Sequence, residues 1–184
     1  MLQPGMGNKI PRDHLWAADT GCFRDPGGFD LEKYCCWLRA HNSETCLFAT
    51  APDRLADPVE TFRRSLPVLP VLRTLGYSCA YVAQDGAEKW LIPWRDFDVL
   101  FIGGNDKWKE GRPAMGLAAE ARARGKWVHM GRVNGGERGL KAEWRGCHSI
   151  DGSILKHGRN VNLPKVKEWM RFLNRQQSFS SVAE

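Results

Sequence analysis

Six short apolar runs recur along the chain, at residues 14–18, 46–50, 79–83, 99–102, 127–131 and 147–150. Each is followed by glycine and polar residues, and stretches with helical spacing lie between most of them. The runs are almost continuously apolar rather than alternating, the pattern of strands covered on both faces. Strands alternating with helices read as βα units and a parallel sheet. The expected fold is therefore α/β: a compact, incomplete TIM-like (β/α) barrel, with an open doubly wound parallel sheet as the alternative. A full eight-unit barrel takes about 250 residues, or at least about 200, and this chain has 184.

The helical stretches carry their own start and stop signals. Asp30 should cap a helix through residue 40, with Leu31, Tyr34, Cys35 and Leu38 on one stripe. Asp57-Pro58-Val59-Glu60 joins an acidic cap, a first-turn proline and an acid at the third helical position. That helix should turn Val59, Phe62 and Leu66 inward. Pro67 and Pro70 break or kink the next stretch, and Gly76 closes it. Further helices are expected over 114–124, 137–144 and 163–176, the last opened by Pro164 with Val166, Trp169, Met170 and Leu173 on one face. The expected domain organisation is an N-terminal extension over 1–13, one domain over 14–176, and a frayed polar tail over 177–184.

Composition narrows the class. The chain is 42% hydrophobic and 26% charged, enough for a core. No run approaches a membrane span and the start lacks a signal peptide's pattern, so a cytoplasmic location without membrane contact is expected. Twenty-seven Lys and Arg against 21 Asp and Glu give +6 and a pI near 9.1, which favours a polyanionic partner. The six cysteines lack the paired spacing of a zinc site and mostly sit in apolar runs, as reduced core thiols do. No metal and no cofactor is expected.

The polar residues after each run carry the functional signal. They are Asp19-Thr20-Gly21-Cys22-Phe23, Ala51-Pro52-Asp53, Gln84-Asp85-Gly86, Gly103-Gly104-Asn105-Asp106, Arg132-Val133-Asn134-Gly135 and Asp151-Gly152-Ser153. Parallel α/β folds place their sites at the carboxyl ends of strands, where these loops converge. Asp, Asn and Gly are also ordinary turn residues, so one such loop says little and six in succession say more. Several carboxylates without ligand histidines suit displacement at an anomeric carbon, one carboxylate attacking and another group managing the leaving base's proton. Glycines let backbone N–H groups approach a flat heterocycle, and a Gln amide both donates and accepts along a base edge. Lys107, Trp108 and Lys109 mix charge and an aromatic ring as nucleic-acid contacts do. His129, inside a strand, reads as a satisfied core histidine.

At these residues the chain resembles the queuine/archaeosine tRNA-guanine transglycosylases. Asp19 to Phe23 is similar to the family's Asp-Ser-Gly-Gly-Phe/Tyr motif, Val82 to Gly86 to its Val-Gln-Gly segment, and Phe101 to Gly104 to its Gly-Gly base-binding loop. Asp53 and Asp151 are similar to its later aspartates. The segments CLFATAPD, VAQDG, LFIGG, KWVHMGRVN and GCHSIDGS look closest to the DpdA-like branch, which inserts 7-deazaguanines into nucleic acid. The resemblance spans roughly residues 15–169.

It implies a pentosyltransferase with Asp151 as nucleophile and Asp19 as base-binding proton shuttle. Asp53, Gln84, Gly103 and Gly104 would read the base, and Arg132 and Asn134 would hold a phosphate or order Asp151. The implied partners are DNA, favoured over tRNA, and a 7-deazaguanine such as preQ0, with a homodimer or a partner protein as further possibilities. The setting would be a phage or DNA-modification cluster, hence host cytoplasm. The chain departs from the tRNA enzymes in lacking their Cys-x-Cys-x-x-Cys zinc site, and His148 stands where the branch has an acid. Two other readings stay open: a small nucleoside N-glycosidase or deoxyribosyltransferase, and a non-catalytic nucleic-acid-binding partner of a larger transglycosylase.

Overall fold

A computed structural model of the chain describes residues 1–5, 14–22, 28–41, 43–136 and 146–180. Among the described residues, six strands form one all-parallel sheet: β1 (Trp16–Ala18), β2 (Cys46–Thr50), β3 (Cys79–Ala83), β4 (Val99–Ile102), β5 (Trp127–Met130) and β6 (Ser149–Ile150). Their spatial order is their chain order. A doubly wound sheet reverses its strand order at a switch point, and this sheet has no reversal. It curls instead into an open half-barrel.

Period-two alternation explains which side chains face where. One face of the sheet packs Ala18, Ala49, Tyr81, Leu100, Ile102, Val128 and Met130 against the helices. The other face gathers Ala17, Phe48, Ala80 and Val99 into a separate concave cluster with Met1 and Phe101 against it. Among the described residues, the α-helices are α1 (Leu31–Arg39), α2 (Pro58–Ser65), α3 (Leu69–Thr74), the single-turn α4 (Asp106–Lys109), α5 (Arg112–Ala123) and α6 (Arg159–Ser180). Tyr34 and Leu38 of α1, Leu69 and Leu72 of α3, and Ala114, Leu117, Ala118 and Ala121 of α5 all join the outer cluster, so these three helices cover the same side. On its free edge β1 takes a parallel bridge from Leu2, whose N–H donates to Ala17 O at 2.9 Å. Part of the expected N-terminal extension is thus an added edge of the sheet.

The two expected helix caps are in place. Asp30 accepts from Lys33 N at 3.0 Å, and Asp57 accepts from Glu60 N at 2.9 Å. The inward face of α2 is not the expected one. Val59 and Leu66 are 40% and 39% exposed, whereas Thr61 and Ser65 are fully buried. Hydrogen bonds account for this choice: Thr61 Oγ1 accepts from Arg54 N and donates to Arg54 O, and Ser65 Oγ donates to Pro52 O at 2.8 Å. The helix thereby ties down the loop that carries Asp53. Thr61→Val, which keeps the shape but orphans Arg54 N while Arg54 O keeps its bond from Asp57 N, should cost about 1–3 kcal/mol in urea unfolding. An unchanged midpoint would show that water satisfies Arg54 instead.

Other boundaries also differ from expectation. Strand pairing starts at Trp16 rather than at residue 14, with Leu15 71% exposed, and β6 starts at Ser149 rather than 147. Helix α6 begins at Arg159, five residues before Pro164, which lies inside it. Asn162 Nδ2 satisfies the carbonyls of Ile154 and His157 before that helix, which lets it start early. Met170 is 48% exposed rather than inward, and the helix continues to Ser180 through the first part of the expected frayed tail. Phe23 and the helix expected over 137–144 lie outside the described residues. All six cysteines are free thiols; burial pushes Cys46 up to about 12 and Cys79 to about 11, and only Cys36 is exposed. No helix among the described residues is long and apolar enough to cross a membrane.

Candidate functional site

The carboxyl ends of all six strands open onto one cavity of about 520 Å³, within the roughly 300–1,000 Å³ usual for small-molecule sites. Asp19 enters from the end of β1, Thr50 and Asp53 from β2, and Val82 and Gln84 from β3. Phe101, Gly103 and Gly104 enter from β4, Gly131, Arg132 and Asn134 from β5, and Asp151 to Ser153 from β6. Parallel in-register strands end at one level, which is why one loop from each contributes.

Asp151 is held from several directions. Its Oδ1 accepts from Arg132 N at 3.1 Å and lies 3.3 Å from His129 Nε2, while Val133 N donates to its carbonyl at 2.6 Å. Arg132 reaches this geometry in the left-handed region, at φ 58°, a conformation few non-glycine residues adopt. Its guanidinium donates to Gly104 O. Burial alone would raise the Asp151 pKa, but the hydrogen bonds from His129 and from the Arg132 N–H outweigh it and hold the carboxyl below its ordinary value. Asn134 Oδ1 accepts from Ser153 N at 2.6 Å, closing the β5 loop over the β6 loop. A Cβ on Gly152 would collide with Val133 O, and one on Gly131 would lie 2.6 Å from the Phe101 ring.

Asp53 has the opposite character. Burial, and then the facing charge of Asp19, push its carboxyl up to about 6. Gln84, 2% exposed, donates from Nε2 to Asp53 Oδ2 at 2.6 Å. Its Oε1 accepts from both Ala56 N and Gly104 N at 3.1 Å. An amide has two N–H groups and one oxygen, so a single N–H is left for a ligand. Gln84 is first a clamp joining the β2, β3 and β4 loops. Asp19 Oδ1 accepts from Gly21 N at 2.9 Å in a local turn while the residue also lines the cavity.

A Cβ on Gly103 would lie 2.8 Å from Val82 Cγ1 and 3.0 Å from Gln84 Nε2. Gly104 adds a φ of 67° and contact with Trp108. Gly103→Ala should therefore push the Gln84 clamp aside and lower the melting temperature, by roughly 2–4 °C for each kcal/mol in a domain of this size. A protein with native melting and ligand binding would show the loop has slack.

The basic-aromatic trio does not form a nucleic-acid surface as expected. Lys109 is 1% exposed; its Nζ donates to Gly131 O at 2.8 Å and Arg132 O at 3.3 Å and pairs with Asp106 at 2.9 Å. It is an internal brace for the β5 loop. Trp108 packs on Gly104 and donates from Nε1 to Glu88. Lys107 alone of the three is exposed. None of the three lines the cavity.

His148 stacks on Trp127, 4.7 Å between centroids, and accepts from Val128 N at the sheet edge, away from the cavity. Residue-level reading misses Thr50, Phe101, Lys156 and the role of His129. His129 has a legible signal: residues 127, 129 and 131 share one strand face, and 131 opens a polar loop. Lys156 comes after a loop whose path no local pattern specifies. No protein-family model, curated protein or solved structure matches this chain.

Proposed function

We propose that the protein is a base-exchanging pentosyltransferase that replaces guanine in nucleic acid, DNA in preference to tRNA, by a 7-deazaguanine of the preQ0 type. The observation that carries the reading is the division of carboxyl groups within one cavity: Asp151 held below its ordinary pKa, Asp53 raised to about 6 beside Asp19. Groups pushed apart in this way are assigned opposite roles, the ionised one as nucleophile and the protonated one as acid. Asp151 attacks C1′ while the bond from C1′ to the base N9 breaks, and its carboxylate becomes a glycosyl ester. The departing guanine takes its proton from the Asp53–Asp19 pair. In the second half the incoming base returns a proton to that pair, its N9 attacks C1′, and Asp151 is freed. Gly103 and Gly104 give the flat base room, and the remaining Gln84 N–H points to one acceptor on its edge.

These roles fix the sign of the pH effect. Asp53 is protonated below about 6 and loses its proton above it, so base release should slow as pH rises through 6. Asp53→Asn should lower the rate and flatten that limb. A wild-type profile level from pH 5 to 8 would remove Asp53 from the proton path. The same raised value makes the folded state bind more protons than the unfolded chain between about 4 and 6, so Asp53 lowers stability as pH rises across that window.

A second reading is favoured by the burial of Lys109 and the engagement of Trp108: the same exchange on free nucleosides, which needs no polymer-binding surface. Labelled guanine supplied with DNA, tRNA or deoxyguanosine separates the cases. Incorporation into DNA upholds the proposal, and incorporation into tRNA alone changes the polymer. Incorporation into the nucleoside alone selects the second reading. Binding without exchange makes the chain a non-catalytic partner of a larger enzyme.

A further inference from the structure

Beneath Asp151 the concave face of the half-barrel holds a continuous hydrogen-bonded file that the exchange chemistry has not used. Trp127 Nε1 donates to Ser149 Oγ at 2.9 Å. Ser149 Oγ lies 2.8 Å from His129 Nδ1, and His129 Nε2 lies 3.3 Å from Asp151 Oδ1. The register places these groups: His129 pairs with Ser149 across β5 and β6, and Trp127 and Asp151 lie two residues before His129 and after Ser149 on the same face. The imidazole is 4% exposed and is held between the Phe48 ring, 5.0 Å away, and the Phe101 ring, 4.7 Å away. The two rings and the hydrogen bonds at both nitrogens hold it in place, almost entirely out of water.

Donor and acceptor capacities set the direction of this file. An indole N–H only donates, so Ser149 Oγ accepts from Trp127. An ionised carboxylate only accepts, so the hydrogen between His129 and Asp151 sits on Nε2. Nδ1 is then an acceptor, and the Ser149 hydroxyl, its oxygen already engaged by the indole, has its proton free to give there. Every group is satisfied in one arrangement, Trp127 to Ser149 to His129 to Asp151. The residue types are those of a serine-hydrolase triad, but the Ser149 hydroxyl does not line the cavity and is the acceptor of the indole.

We infer that His129 is a positioning residue: locked as its Nε2–H tautomer by Ser149 and Trp127, it fixes the orientation of the Asp151 carboxylate for attack. The inference rests on the proposed function for its kinetic consequence, while the tautomer itself does not. A rigid donor on Oδ1, together with Arg132 N, leaves the other oxygen of the carboxylate to face the cavity. Misplacement of a reacting group by about 1 Å can cost on the order of a hundredfold in rate.

The test has two arms on the full chain. In the first, the side-chain ¹⁵N shifts of His129, assigned by difference with His129→Gln, report which nitrogen carries hydrogen without any substrate. Nε2–H in the wild type, and a mixture of tautomers in Ser149→Ala, is the expected result; Nδ1–H in the wild type overturns the inference. In the second arm, His129→Leu should lower the maximal exchange rate roughly 10–100-fold with KM little changed. His129→Gln, whose amide N–H can replace Nε2–H, should recover most of it. A His129→Leu protein at full rate overturns the positioning role. Should the wild type exchange no base at all, the proposed function fails, and the ¹⁵N arm still upholds or overturns the tautomer lock.

Discussion

Asp151→Asn is expected to abolish incorporation of labelled guanine, a loss on the order of 10⁴-fold or more, as when other covalent enzymes lose their nucleophile. The substitution is nearly isosteric. The Asn carbonyl can still accept from Arg132 N and His129 Nε2, so the β5 and β6 loops should keep their places. What is lost is the charge and the oxygen that would bond to C1′. Substrate affinity should therefore persist while the rate collapses, a split that identifies a group acting on the reacting atoms. A fall of only a few-fold, with melting unchanged, would mean that Asp151 only shapes the loop. A fall in rate accompanied by a large drop in melting temperature would make the same change a structural one.

Lys109→Met carries the largest expected effect on stability, a loss of about 2–4 kcal/mol in urea unfolding. Methionine fills much of the stem's volume but removes the ammonium that bonds the carbonyls of Gly131 and Arg132 and pairs with Asp106. Both carbonyls belong to the loop whose Arg132 N–H holds Asp151, so exchange should weaken together with stability. Asp106 is 48% exposed on its side chain and can turn to water, which keeps the loss below that of a fully buried broken pair. The rival expectation, a phosphate-binding lysine, predicts the reverse: intact stability, and a salt dependence of DNA binding whose slope falls by about 0.9. The two outcomes do not overlap.

How much of this is legible in the sequence depends on the kind of signal. The strands are readable because a parallel strand buried on both faces must be apolar throughout, and β2, β3 and β4 have the expected bounds. The helix starts at Asp30 and Asp57 are readable because an N-cap is a local device. The face of α2 is not, because hydrophobicity favours Val59 and Leu66. The structure buries Thr61 and Ser65, whose partners Arg54 and Pro52 lie in the preceding loop.

The same limit explains the site. That one polar residue per strand end converges on a cavity is a consequence of topology, and Asp19, Asp53, Gln84, Gly103, Gly104, Arg132, Asn134 and Asp151 all line it. Topology does not say which of them is free for a ligand. Gln84 spends most of its amide on Asp53, Ala56 and Gly104. Lys109, charged and beside a tryptophan, reads as a surface contact until its helical turn points it inward. His129 reads as a core histidine, and it is buried as one; only the pairing of β5 with β6 brings it to Asp151.

The most direct test of the central claim is to look for the glycosyl-enzyme itself. The protein would be incubated with a guanine-containing DNA oligonucleotide without any incoming base, quenched in denaturant, and digested for mass spectrometry. The account predicts a DNA-linked species that survives denaturation, maps to the peptide bearing Asp151, and disappears when a 7-deazaguanine is added before the quench. Labelled guanine exchanging into DNA with no such species, or with the link on another residue, would contradict it.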